Sequence, residues 1–126
     1  MNKDNENINI PAGTETPADG QGDTEGVNTG TYSHRFKKPF EYEGKKYSTL
    51  NFYFGNLTGR DMVSIETEMQ ARNEYALDPL ISRSFQSKMA ARAGGIGVDA
   101  LEAMPIQEFN KIVNAARNFL VENSGA

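Results

Sequence analysis

The chain has 126 residues, no cysteine and one histidine, which excludes disulfides, thiolate metal centres and imidazole clusters as its organising chemistry. Its net charge of −4 is uneven: residues 1–31 carry six acids (Asp4, Glu6, Glu15, Asp19, Asp23, Glu25) against Lys3, whereas residues 32–126 carry 12 bases and 11 acids. No run approaches the roughly 18 apolar residues of a membrane span and the N-terminus lacks signal-peptide regions, so a cytosolic protein with no membrane partner is expected.

Residues 1–31 are rich in Asn, Gly, Thr, Pro, Glu and Asp, with only Ile8, Ile10 and Val27 as larger aliphatics. That composition cannot offset its ordering entropy, and a disordered acidic leader is expected. The expected plan is therefore α+β: the leader, then a single domain over residues 32–126 with an N-terminal β-hairpin followed by three to four helices. A core drawn from about 95 residues is marginal alone, so help from self-association or a partner is expected.

Residues 32–54 interleave Phe36, Phe40, Tyr42, Tyr47, Leu50, Phe52, Tyr53 and Phe54 with polar residues around Glu43-Gly44, a hairpin pattern. Two registers compete. A two-residue Glu43-Gly44 turn pairs Phe40 with Tyr47 but leaves Leu50, Phe52 and Phe54 on the opposite face. A three-residue loop including Lys45, or a bulge with the same effect, gathers Phe36, Phe40, Tyr42, Leu50, Phe52 and Phe54. The second is favoured because one buried apolar face outweighs ideal turn chemistry.

Thr58 and Asp61 have capping-box spacing and open a helix from about Gly59 to Asn73, with Met62, Ile65 and Met69 on one face. Asp78-Pro79 predicts N-cap and first position of a second helix with Ile81, Phe85 and Met89 at i, i+4 and i+8. Gly94-Gly95-Ile96-Gly97 ends it. Asp99 to Glu102 repeats the box spacing and predicts a short helical turn. The last helix is the cleanest: after Met104, Pro105 suits the first turn, Glu108 sits near the positive end of the dipole, and Phe109, Ile112, Val113, Ala116, Phe119 and Leu120 form one stripe.

Chemical motifs are sparse. The Gly94–Gly97 run follows a helix and lacks the Lys-Ser/Thr of a phosphate loop, so termination is the expected role. Lys37, Lys38, Lys45 and Lys46 with Tyr42, Tyr47 and Tyr53 could stack single-stranded bases, but Glu41 and Glu43 interrupt them and strand lysines also guard sheet edges. The folded part is near neutral, so a large nucleic-acid footprint is not expected. His34 is expected at the border of the leader, where a preorganised site would not form, and Glu66, Glu68 and Glu74 are scattered carboxylates, with Glu66 and Glu74 expected on a solvated face. No catalytic, cofactor-binding or metal-binding residues are assigned. Met62, Met69, Met89 and Met104 suit core filling or an adaptable peptide groove.

The order of parts resembles the phage tail assembly chaperone family, including those of Mu-like and related tailed phages. The resemblance rests on an opening strand with Phe36 and Pro39, a turn at Glu43-Gly44-Lys45, and a second strand ending Leu50-Asn51-Phe52. It continues through Leu57-Thr58-Gly59-Arg60-Asp61, the helix end at Ala91-Arg92-Ala93-Gly94, and Ala100-Leu101-Glu102-Ala103-Met104-Pro105 before Phe109 and Phe119-Leu120. It covers about 90 residues, and the leader lies outside it. Met104 stands where leucine is expected and Gln107-Glu108 where an acidic residue is frequent.

The resemblance implies a non-enzymatic protein, without cofactor, that binds the tape measure protein in the cytoplasm of the bacterial host while the tail tube polymerises, and that is absent from the mature virion. Tail tube subunits and further copies of the chain are the other partners implied. Partner contacts are expected at Tyr47 and Tyr53 of the outer hairpin face and at Phe85 and Met89 of the middle helix. The competing readings are a structural tail subunit retained in the particle and a small nucleic-acid-binding module.

Overall fold

In the computed structural model, which describes residues 30–124, a two-stranded antiparallel hairpin is followed by four helices, a mixed α+β architecture. Strand β1 runs Thr31–Tyr42 and β2 runs Lys45–Tyr53. Of the expected leader 1–31, Thr31 therefore belongs to the hairpin and Gly30 to the turn before it; residues 1–29 lie outside the described residues.

The hairpin combines features of both expected registers. Glu43 and Gly44 form a two-residue turn at φ 49° and 83°, the left-handed pair of a type I′ turn, with Tyr42 opposite Lys45 and Phe40 opposite Tyr47. The three-residue loop does not form. Farther down, Arg35 stands opposite Thr49, so residues 36–39 of β1 face Ser48 alone in a wide bulge that contains Pro39, a residue with no N–H for the ladder. The bulge resets the pairing, and Tyr32, Phe36 and Phe52 all enter the core. Tyr47 is corrected by it: the ring is half-buried, stacked on Phe40 at 6.2 Å, and not on an outer face.

Helix α1 (Gly59–Ala71) starts where the box spacing places it, with Asp61 accepting the Thr58 N–H at 2.8 Å, and buries Ile65 and Met69. Asp78-Pro79 opens only a 3-10 turn, Pro79–Ile81, with the Asp78 side chain accepting the Leu80 N–H. Helix α2 (Arg83–Gly94) has its own N-cap, Ser82, whose hydroxyl accepts the Phe85 N–H at 3.1 Å. Ile81 thus lies outside the helix and 79% exposed, contrary to the expected stripe, while Phe85 and Met89 are core.

Helix α2 is the hub, packed against β2, α1 and the last helix. It ends at Gly95 in the left-handed region (φ 67°), with the Ile96 N–H returning to the Ala91 carbonyl. Gly94 has a different reason to be small: a Cβ there would come 2.6 Å from the Phe52 ring. Helix α3 (Val98–Glu102) is capped by Gly97 and not by Asp99. Helix α4 (Ile106–Glu122) takes Pro105 as N-cap rather than first residue, and turns Ile112, Val113, Ala115 and Ala116 inward. Phe52, Phe54, Ile65, Phe85, Met89, Leu101 and Ile112 meet in one core.

Candidate functional site

Three groupings could carry function: a buried polar cluster, the hairpin surface and an exposed apolar segment. The cluster overturns the expectation for His34, which is held in β1 at 1% exposure. The Glu108 carboxylate accepts from its Nε2 at 2.7 Å and from the Lys37 backbone N–H at 3.2 Å, and Nδ1 meets the Tyr32 hydroxyl at 2.9 Å. The Phe36 ring packs edge-on against the imidazole with centroids 4.6 Å apart. Histidine beside a carboxylate resembles a general-base pair, but here both ring nitrogens are engaged and the imidazole is 1% exposed. The grouping pins β1 to the first turn of α4.

A groove of about 420 Å³ borders this cluster, between the β1 bulge and Pro105, Gln107 and Glu108 at the start of α4, and a second of about 520 Å³ lies along α1 beside Arg92. Both are open. Arg92 is committed to Asp61 at 3.2 Å and Glu68 at 2.8 Å, and Lys88, 7% exposed, pairs with Glu74 at 3.3 Å, so Glu74 is a packing partner and not merely solvated. The Asp61 carboxyl titrates below its ordinary range, chiefly because it accepts the Thr58 N–H, with the Thr58 hydroxyl and Arg92 adding to the effect. Among the described residues, no three His, Cys, Asp or Glu side chains come together as metal ligands.

Of the four expected contact residues, Tyr53 is exposed (41%), its hydroxyl accepting from Asn51 at 3.3 Å. Tyr47 is half-buried. Phe85 and Met89 are corrected: at 0% and 1% exposure they hold α2 in the core and present nothing to a partner. Their spacing marks an apolar face, and the hub position of α2 assigns that face to the interior.

The most exposed large apolar side chains among the described residues include Tyr75 at 68%, Leu77 at 100% and Ile106 at 72%, which no helical pattern selected, and Ile81 at 79%, which the expected second helix counts in its stripe. Tyr75, Leu77 and Ile81 sit on the connection from α1 to α2. Asn73 turns that connection at φ 61°, Asp78 caps the 3-10 turn, and the Gln86 side chain, itself 4% exposed, donates to the Pro79 and Leu80 carbonyls at 2.9 Å each. Arg83 donates to Asn110 of α4, one turn beyond Ile106. The backbone is thus fastened from below while Leu77 and Ile81 face water. A signal for this was present: Tyr75-Ala76-Leu77 is apolar, follows a helix end and precedes Asp78-Pro79, where a connection is normally polar.

Compared with known proteins, the chain matches no family model, no curated protein and no solved structure.

Proposed function

We propose that this protein is a tail assembly chaperone of a tailed phage or prophage, holding an unassembled tape measure protein in the host cytoplasm until the tail tube polymerises around it. The reading rests on the resemblance over residues 32–120 and on one surface observation, the Tyr75–Ile81 segment with Leu77 fully exposed and Ile81 nearly so. A long helical client with an apolar stripe stays soluble only while that stripe is covered. A fastened loop carrying Leu and Ile can cover it without a deep pocket, which keeps each contact reversible, and many copies along one client supply the avidity.

Co-expression with a tape-measure-like protein should yield a soluble complex. Leu77→Asp combined with Ile81→Asp should weaken it at least roughly tenfold while leaving the fold intact, since exposed substitutions cost little stability. A client that is soluble alone and never co-purifies would sink the proposal. The structural-subunit reading is separated by mass spectrometry of purified particles, in which a chaperone is missing and a retained subunit abundant.

A further inference from the structure

The sheet has two strands, so each strand offers one edge that pairs with no other strand among the described residues. The two edges differ. β1 carries Arg35, Lys37, Lys38 and Glu41, and its bulge at residues 36–39 contains Pro39, so its outer row of N–H and C=O groups is interrupted and flanked by charge. The extra residues of the bulge all belong to β1, and β2 is left regular. After Lys45 and Lys46 at its turn end, the rest of β2, Tyr47-Ser48-Thr49-Leu50-Asn51-Phe52-Tyr53, contains no charge, proline or glycine, and Ser48 and Thr49 are exposed. A regular edge strand without such guards is a template for another strand.

We propose that the β2 edge pairs antiparallel with the β2 edge of a second copy, about a two-fold axis at Thr49, to give a four-stranded sheet. The occupant follows from the strand itself. A two-fold perpendicular to the sheet keeps the helical layers of both copies on one face and so pairs residues of like parity, and an axis at Thr49, the midpoint of Lys45–Tyr53, overlaps all 9 residues. Lys45 then stands opposite Tyr53 of the second copy, Lys46 opposite Phe52, Tyr47 opposite Asn51 and Ser48 opposite Leu50, while Thr49 faces its own counterpart. The two lysine pairs fall at opposite ends and no like charges meet, whereas a parallel pairing in register would set Lys45 on Lys45 and Lys46 on Lys46. Tyr53 is 41% exposed, and its hydroxyl accepts from Asn51 at 3.3 Å, so its ring is held where the lysine of the second copy arrives. Asn51 in turn accepts from the Ser33 hydroxyl at 2.7 Å, which orders that row across both strands before any partner binds. Assembly stops at two, because the outermost edges are then the two β1 strands with their bulges and prolines. The pairing uses no residue of the Tyr75–Ile81 segment and stands apart from the chaperone reading.

Sedimentation equilibrium of the full chain tests this, and the wild type should form a concentration-dependent dimer. Thr49→Lys, at an exposed position, should raise the dimer dissociation constant at least roughly tenfold, because two ammonium groups then meet across the axis. Thr49→Glu should do the same, and an equimolar mixture of the two variants should dimerise again. Opposed residues of an antiparallel pair have Cα atoms about 4.5–5.5 Å apart, inside disulfide range. In this cysteine-free chain Thr49→Cys should therefore cross-link two copies on oxidation, while Arg35→Cys, equally exposed but one strand farther from the axis, should not. A wild type that stays monomeric overturns the proposal. A dimer that Thr49→Lys leaves unchanged overturns it too, because the contact would lie elsewhere, and so does assembly beyond two copies.

Discussion

The Glu108 carboxylate is 6% exposed and takes hydrogen bonds from the His34 ring and the Lys37 backbone, so its two oxygens join residues 74 and 71 positions away. Removing the carboxylate takes away the acceptor that the His34 Nε2 and the Lys37 N–H both use. Glu108→Ala is expected to cost about 3–5 kcal/mol, whereas Glu108→Gln, which keeps an acceptor oxygen, should cost clearly less. Denaturant midpoints at unchanged slope measure both; equal losses would mean that packing, and not hydrogen bonding, holds this corner. None of this is legible locally, because His34 lies in a strand and Glu108 in a helix with no intervening pattern to link them. One hint is available. Glu108 precedes Ile112 by four and Ala115 by seven, which places a carboxylate on the buried side of an otherwise apolar helix.

Two elements show where sequence patterns suffice and where neighbours decide. The start of α1 follows from Thr58 and Asp61 alone, because a capping box is a contact within four residues. Its pH dependence has a definite sign: the folded-state pKa of Asp61 is lowered from 3.8, so its contribution is complete above that value and is lost as pH falls through the lower folded pKa. The stability gap between wild type and Asp61→Asn should therefore shrink on acidification below about pH 4, and a gap independent of pH would refute the assignment. At α2 the start and the end both depend on context. Asp78-Pro79 has helix-opening chemistry, yet Ser82 supplies the cap that the longer helix uses. Gly94 and Gly95 both look like terminators, but only Gly95 has positive φ, and Gly94 is small because the Phe52 ring lies against it. Gly94→Ala should cost about 1–3 kcal/mol by overpacking, and Phe52→Leu in the same chain should return part of it, a coupling that a purely helical role for Gly94 would not produce.

At the scale of the whole molecule, the fold class and most of the final helix are legible because a single stripe from Phe109 to Leu120 demands a partner surface, and the aromatic hairpin supplies one. The hairpin register is legible only as alternatives, since turn chemistry and burial favour different pairings; the expected bulge forms, at residues 36–39, together with the two-residue turn, and the three-residue loop does not. The exposed apolar segment is not legible as a pattern: periodicity finds the apolar positions that repeat, and the connection Tyr75–Ile81 carries its exposed side chains without a helical period. The distribution of tyrosine has a practical result. The chain has no tryptophan and five tyrosines, and four of them, Tyr32, Tyr42, Tyr47 and Tyr53, belong to the two strands. The tyrosine bands of near-ultraviolet ellipticity and intrinsic emission therefore report chiefly on the ribbon, with Tyr75 the one tyrosine outside it, while far-ultraviolet ellipticity observes the helices. A single sample thus carries two separate optical gauges, and their superposition or divergence during melting tells whether ribbon and bundle come apart together.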